Sequence, residues 1–225
     1  HCKDYFDQGS NWFSLPAPDI QPGVKYQEPQ VCNQIFQHTA NFIKCGKDIF
    51  YSLPGDIDIK RGKGTNAGIE WFKRHLPIFD FNAVNIGGHV DGKIALLRPG
   101  LLATWNKNWI PQKLAMWDAI EIPDNANFPD DFVKTKKKRY YGEYVKKYLE
   151  NWIGYADESV FDVNVLSVDE QRVIVTGNDP KILRLFENKG LTPIFWKFRH
   201  QYFWDGGIHC VTADMVRDGG IENYC

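Results

Sequence analysis

Apolar and polar residues alternate over short stretches of this chain, and the stretches recur in a fixed order. Residues 160–167, VFDVNVLS, alternate at a period of two, which predicts a strand with one buried face. Asp169-Glu170 marks a turn, and RVIVT at 172–176 predicts the returning strand. Asp179-Pro180 then combines an N-cap acid with proline at the first helical position. The helix KILRLFENK runs to Gly190, its expected C-cap, and TPIFWKF at 192–198 predicts a third strand.

The same order occurs earlier. GKIALL at 92–97 predicts a strand, Arg98-Pro99-Gly100 a turn, and LLATW the return. Pro111 opens a predicted short helix, PQKLAMWDA, and AIEIP predicts a strand. Before it come KDIFYSL, a helix NAGIEWFKRHL, and FNAVNI. In that helix Asn66 is the expected cap, and Ile69, Phe72 and Leu76 share one face. Repeated ββαβ units predict an α/β ring or array in which each unit covers its neighbour's apolar edge. About three units are legible.

Two segments stand outside the repeat. NWFSLPAPDIQPGVKYQEP reads as an extended connector, so residues 1–35 are expected to lead into a domain spanning 36–225. Residues 124–156 are expected to be a helical insertion. There, loop-like DNANFPDD precedes TKKKRYYGEYVKKYLENWI, with Tyr141, Val145, Tyr148 and Trp152 at helical spacing. Its charge run is read as a solvated face ahead of a basic patch for an anionic partner.

Composition narrows the class. The chain has 225 residues, 43% hydrophobic and 15% aromatic, which fits a globular core. A formal net charge of −1 supplies no field for nucleic acid or an anionic membrane, and no apolar run is long enough to span a bilayer. Cys2, Cys32, Cys45, Cys210 and Cys225 are odd in number and form no CxxC pair. That argues against a secreted disulfide scaffold and a structural zinc site, and for a cytoplasmic location. The first residue is His1 rather than methionine, so something upstream is expected to have been removed or left out.

The chemistry falls at equivalent junctions. After one unit's last strand comes NIGGHVDG, a glycine pair followed by His89 and Asp91. After another's comes WDGGIHC, a glycine pair followed by His209 and Cys210. If the units surround an axis, these junctions converge and Cys210 faces His89. A thiolate is a nucleophile and an imidazole can relay its proton. Asp91, two residues beyond His89 on an expected strand, would share its face and hold a cationic substrate by charge-assisted hydrogen bonds. IHCVTADM also reads as strand, which turns His209 to the opposite face in a structural role. The bland alternative is a cysteine used as a small hydrophobe, and spacing alone does not separate the two.

The segments NFIKCGKDIFYSL, GTNAGIEWFKRHL, GGHVDG, VNVLSVDEQRVIV, LFENKGLTPI and DGGIHCVTADMVRDGG run in order from about residue 36 to 220. Together they resemble the C-terminal part of the glycine amidinotransferase family. That family belongs to the guanidino-modifying enzymes, whose pentein fold repeats ββαβ units around a pseudo-fivefold axis.

The resemblance implies a pentein-like α/β-propeller with an incomplete set of units, and a ping-pong transferase. Cys210 would attack the guanidinium carbon of arginine, and His89 would protonate the departing amine and then deprotonate the acceptor. Asp91 would hold the guanidinium; Arg98, read from the LLRPG segment itself, is a turn residue that reaches an acceptor carboxylate only if it lies near the axis. The implied partners are a small guanidino donor and an amine such as glycine, with no metal, no organic cofactor, no nucleic acid and no membrane. A homodimer or a partner chain would supply the missing units.

Two departures accompany the resemblance. His38 occupies the position where the family has an aspartate that orients the catalytic histidine, leaving Asp48, Asp56 or Asp58 as replacements. The units also fall short of a closed ring. A hydrolase of the same superfamily (deiminase-type) and a non-catalytic binding or structural subunit are therefore the competing expectations.

Overall fold

The computed structural model describes residues 35, 37, 39–52, 65–86, 89–123, 162–197, 207–213 and 221–225. The expected connector (Ile35 apart), the insertion at 124–156, and His38, Asp56 and Asp58 lie outside the described residues.

Each unit is a three-stranded sheet built by the same rule. In the first, β1 (Phe42–Cys45) turns at Gly46 and pairs antiparallel with β2 (Asp48–Ser52). Helix α1 (Asn66–His75) then carries the chain back, so that β3 (Asp80–Val84) lies parallel to β2. The second unit repeats this with β4 (Ile94–Arg98), β5 (Leu101–Thr104) and β6 (Asp118–Glu121). The third has β7 (Leu166–Ser167), β8 (Arg172–Val175), helix α2 (Pro180–Glu187) and β9 (Thr192–Phe195). The ββαβ reading of the sequence holds for the first and third units. Among the described residues the three sheets form no closed ring.

Four local expectations are corrected. No α-helix follows Pro111: two 3-10 turns, Lys107–Trp109 and Gln112–Leu114, fill the connection instead. The chain must reach Asp118 in register opposite Leu101, and Asn106 spends the first part of the link capping its own turn. The strand over 160–167 shrinks to Leu166–Ser167. There the Val165 N–H bonds the Val163 carbonyl at 2.8 Å, a kink that takes the segment out of the ladder.

The cap of α1 is Thr65 rather than Asn66, its hydroxyl accepting from Gly68 N at 3.0 Å. A hydroxyl in extended backbone satisfies an otherwise orphaned helix N–H. Gly190 is not itself the cap of α2. Asn188 caps it, and Gly190, at φ 73, turns the chain toward β9 in the left-handed region.

The units pack face to face through period-two alternation. Leu102 of β5 and Ile94 of β4 join Ile43, Phe50, Val84 and Leu114 in a cluster between units one and two. Leu101 and Ala103 of the same strand, with Ala95, Leu97 and Ile120, meet Val173, Val175, Ile182 and Phe186 of unit three. All four residues of β5 are buried, so the second sheet is a wall shared by its neighbours. A fully buried side chain such as Leu102 or Phe186 contributes about 1.5–3 kcal/mol.

Polar ties reinforce the seams. The Ser167 hydroxyl donates to the Leu97 carbonyl at 2.5 Å, and Lys189 Nζ meets Asp118 Oδ2 at 2.5 Å. Segment 221–225 lies across the β1–β2 turn. Lys47 N donates to Glu222 O at 2.7 Å, and Trp117 Nε1 donates to Tyr224 O at 3.3 Å. No helix among the described residues is long and apolar enough to cross a membrane.

Candidate active site

The loop from β3 to β4 is pinned at its centre by Val90, which is fully buried in the cluster between units one and two. The Val90 and Asp91 amides both donate to the Ala40 carbonyl, at 3.0 and 3.4 Å. Lys93 N and Ile94 N close the loop on the Val90 carbonyl. This holds Asp91 with its side chain 4% exposed.

One oxygen of that carboxylate gathers the neighbouring unit's chemistry. Asp91 Oδ2 lies 3.1 Å from His209 Nδ1 and 3.6 Å from Cys210 Sγ. The other oxygen, Oδ1, is buried and has no hydrogen-bond partner among the described residues. A carboxylate oxygen taken from water without a donor costs free energy.

Cys210 and His209 sit in a 3-10 turn, His209–Val211, not in the expected strand. The reason lies in the backbone partners. Cys210 N donates to the Asn164 side-chain oxygen at 3.1 Å, and His209 N to the Asn164 carbonyl at 3.4 Å. With those amides bonded to Asn164 instead of to a strand ladder, alternation does not apply, and both side chains reach Asp91. The expectation that His209 faces away from the thiol is overturned by the same geometry. Likewise, residues 89–91 form a loop and bend, so it is loop closure rather than strand parity that sets Asp91.

Asn164 is the residue that sequence reasoning missed. It is buried, its Nδ2 donates to the Asp91 carbonyl at 3.2 Å, and its Oδ1 holds Cys210 N. A Cβ on Gly207 would stand 2.7 Å from Asn164, so only glycine fits there. A signal was available. Val163 and Val165 are buried apolar positions in the cluster between units two and three, while Asp162 and Asn164 alternate with them as polar residues.

The thiol is pushed up from its ordinary 9.0 to about 12. The protein packed around the sulfur is the main cause, and the Asp91 charge the second. Hydrogen bonds from the Asn164 side chain and the Gly207 backbone act the other way. Cys210 as a whole residue is nonetheless exposed, so a small reactant can approach it.

The remaining expected residues are placed as follows. His89 is half-buried, two residues before Asp91 in the same loop. The Arg98 guanidinium donates to the Glu170 and Lys189 carbonyls at 3.1 and 2.8 Å, tying unit two to unit three. Asp48 is engaged by Lys113 and Asn82. A separate cleft between β3 and the 3-10 turns, with Asn82, Asn85, Asn108 and Lys113 in its lining, includes none of Asp91, His209 or Cys210. Among the described residues no group of three His, Cys, Asp or Glu side chains is arranged to hold a metal ion.

With this fold and site, the chain is similar over nearly its whole length to amidinotransferases, which are transferases. It is 28% identical to the mitochondrial glycine amidinotransferase of Gallus gallus over 250 residues, covering 99% of this chain and 52% of that protein. It is 27% identical to the L-arginine:L-lysine amidinotransferase of Pseudomonas savastanoi pv. phaseolicola over 242 residues, covering 99% of this chain and 59% of that protein. SxtG, an amidinotransferase from Microseira wollei in the saxitoxin biosynthetic pathway, superposes with a TM-score of 0.71 at 22% identity, covering 100% of this chain and 62% of that one. That likeness shows the fold. No protein-family model matches the chain. The chain spans about half the length of the curated relatives it matches.

Proposed function

We propose that this chain carries the nucleophile and guanidinium clamp of an amidinotransferase, with arginine or a related guanidino compound as donor. The observation that carries the reading is the buried Asp91 carboxylate, whose Oδ2 lies beside the Cys210 sulfur while its Oδ1 has no hydrogen-bond partner among the described residues. A guanidinium offers paired N–H donors to a carboxylate. Docked on Asp91, it would present its central carbon to the thiol.

The same docking answers the high thiol pKa. The Asp91 charge that keeps Cys210 protonated would be offset by the incoming cation, which favours the thiolate where the substrate is bound. The thiol passes its proton to His89, and the thiolate then adds to the guanidinium carbon. The carbon–nitrogen bond to the donor amine breaks, and His89 supplies the proton that the leaving amine needs. The product is an amidino-cysteine and a free amine. An acceptor amine such as glycine adds to the amidino carbon, His89 removes its proton, and the carbon–sulfur bond breaks to regenerate Cys210. Arg98 is assigned to the seam between units rather than to the acceptor, on the strength of its two carbonyl partners. The units that close the ring around the site come, on this reading, from further chain or a partner subunit.

The exposure of Cys210 supports a second reading, a hydrolase in which water replaces the acceptor amine. Intact mass after incubation with arginine tests the first half-reaction, with Cys210→Ala as control. A Cys210-dependent gain of one amidino group is expected. Its persistence until an amine is added indicates transfer, and its spontaneous decay indicates hydrolysis. No adduct, with Cys210 also slow toward alkylation in the presence of arginine, overturns catalysis in favour of a binding subunit.

A further inference from the structure

Three buried groups surround the Cys210 thiol: the Asp91 carboxylate, the Asn164 carboxamide and the Gly207 backbone. Asn164 is the side chain that bonds to the backbone of both other chain segments. Its Oδ1 fixes the Cys210 backbone, its Nδ2 fixes the Asp91 backbone, and its carbonyl receives His209 N. A Cβ on Gly207 would come within 2.8 Å of three Asn164 atoms, so the glycine admits the carboxamide at contact distance. One side chain therefore ties the backbone that carries the carboxylate to the backbone that carries the sulfur.

We propose that Asn164 is the positioning residue of this site: it holds Cys210 against Asp91 through its bonds to both backbones. The inference rests on the reading of Cys210 as nucleophile. Asn suits the role because it accepts from one backbone and donates to another at once. Aspartate keeps the shape but loses the donor and adds a negative charge. Alanine loses both contacts. The direction of its effect on the thiol agrees, since the hydrogen bond from Asn164 favours the thiolate.

The test is the pH profile of Cys210 alkylation by iodoacetamide, read by mass spectrometry of the Cys210 peptide, without arginine. Asn164→Ala is expected to slow alkylation at neutral pH about tenfold, the effect of a shift of about one pKa unit. Asn164→Asp is expected to slow it further, although it is nearly isosteric. A purely packing role predicts the reverse order, with aspartate closer to the parent protein than alanine.

Gly207→Ala, which displaces the carboxamide without removing it, is expected to move the profile in the same direction and covers the case in which the Asn164 variants fail to fold. An unchanged profile in the folded variants, or aspartate behaving as the parent does, overturns the proposal. The amidino adduct is scored separately. A shifted profile without an adduct in the parent protein sinks the transferase reading alone, and a normal adduct with an unshifted profile sinks the role of Asn164 alone.

Discussion

The Cys210 sulfur lies 3.6 Å from Asp91 Oδ2, with its thiol donating to that oxygen. Burial and this contact oppose ionisation of the thiol, while the second oxygen has no hydrogen-bond partner among the described residues. One carboxylate thus restrains the thiol and, on the proposed reading, recruits the cation that releases it.

Asp91→Asn separates these roles. Removing the charge lowers the thiol pKa, so alkylation of Cys210 at neutral pH is expected to rise about tenfold. The arginine-derived adduct is expected to disappear, because a carboxamide lacks the charge that clamps a guanidinium. Parallel alkylation and intact-mass measurements check both halves. Loss of alkylation together with loss of the adduct would mean that Asp91 holds the site's shape only.

Alkali is expected to destabilise the fold through Cys45 as well as Cys210. Burial, then the charge of Cys225 and a hydrogen bond with it, push Cys45 from 9.0 to about 12. A thiol whose folded pKa is raised contributes stability that is intact below pH 9 and is lost as pH rises toward 12. Melting temperature is therefore expected to fall steeply across that window, and less steeply in Cys45→Ser. Equal slopes would place the alkaline loss elsewhere.

On the acid side the sign reverses. Burial alone would raise Asp48, but hydrogen bonds from Lys113, at 2.6 Å, and Asn82 outweigh it and hold the carboxyl below 3.8. Its contribution is present above the unfolded value and lost as pH falls through the folded one. Lys113→Met leaves a buried carboxylate without its cation. Its melting temperature should fall at pH 7, and the gap from the parent should narrow as pH drops below 3.8 through the folded value, as thermal scans over that range will record.

Two backbone substitutions have separate causes. Gly46, at φ 56, lies under segment 221–225, and an added Cβ would fall 2.1 Å from Glu222 O. Gly46→Ala is expected to cost about 1–3 kcal/mol in chemical denaturation. Thr65→Ala removes the cap of α1 and is expected to cost about 1 kcal/mol. Additive losses in the double variant would show that the sites act independently.

How much of this was legible in the sequence depends on where each element gets its hydrogen bonds. Asp179-Pro180 through Gly190 was readable because capping, proline and left-handed glycine act within a few residues. The link after Pro111 was not, since parallel registry with Leu101, set across the sheet, decides its form. His209 and Cys210 lie in IHCVTADM, which reads as strand. Their amides instead bond to Asn164, some forty-five residues earlier, a partner that no local pattern names. Asp91 was singled out for a strand parity that the loop does not have.

The two-sided burial of β5 bears on how the molecule comes apart. Leu101 and Ala103 serve one neighbour and Leu102 the other, so neither outer unit can detach without uncovering this strand. The β5 amides should then exchange with deuterium only through global opening, more slowly than those of β1 or β9. An excised outer unit would carry half of a divided core and lose cooperativity. The smallest dissectable body is therefore a pair of units, because the strand in the middle belongs to both sides.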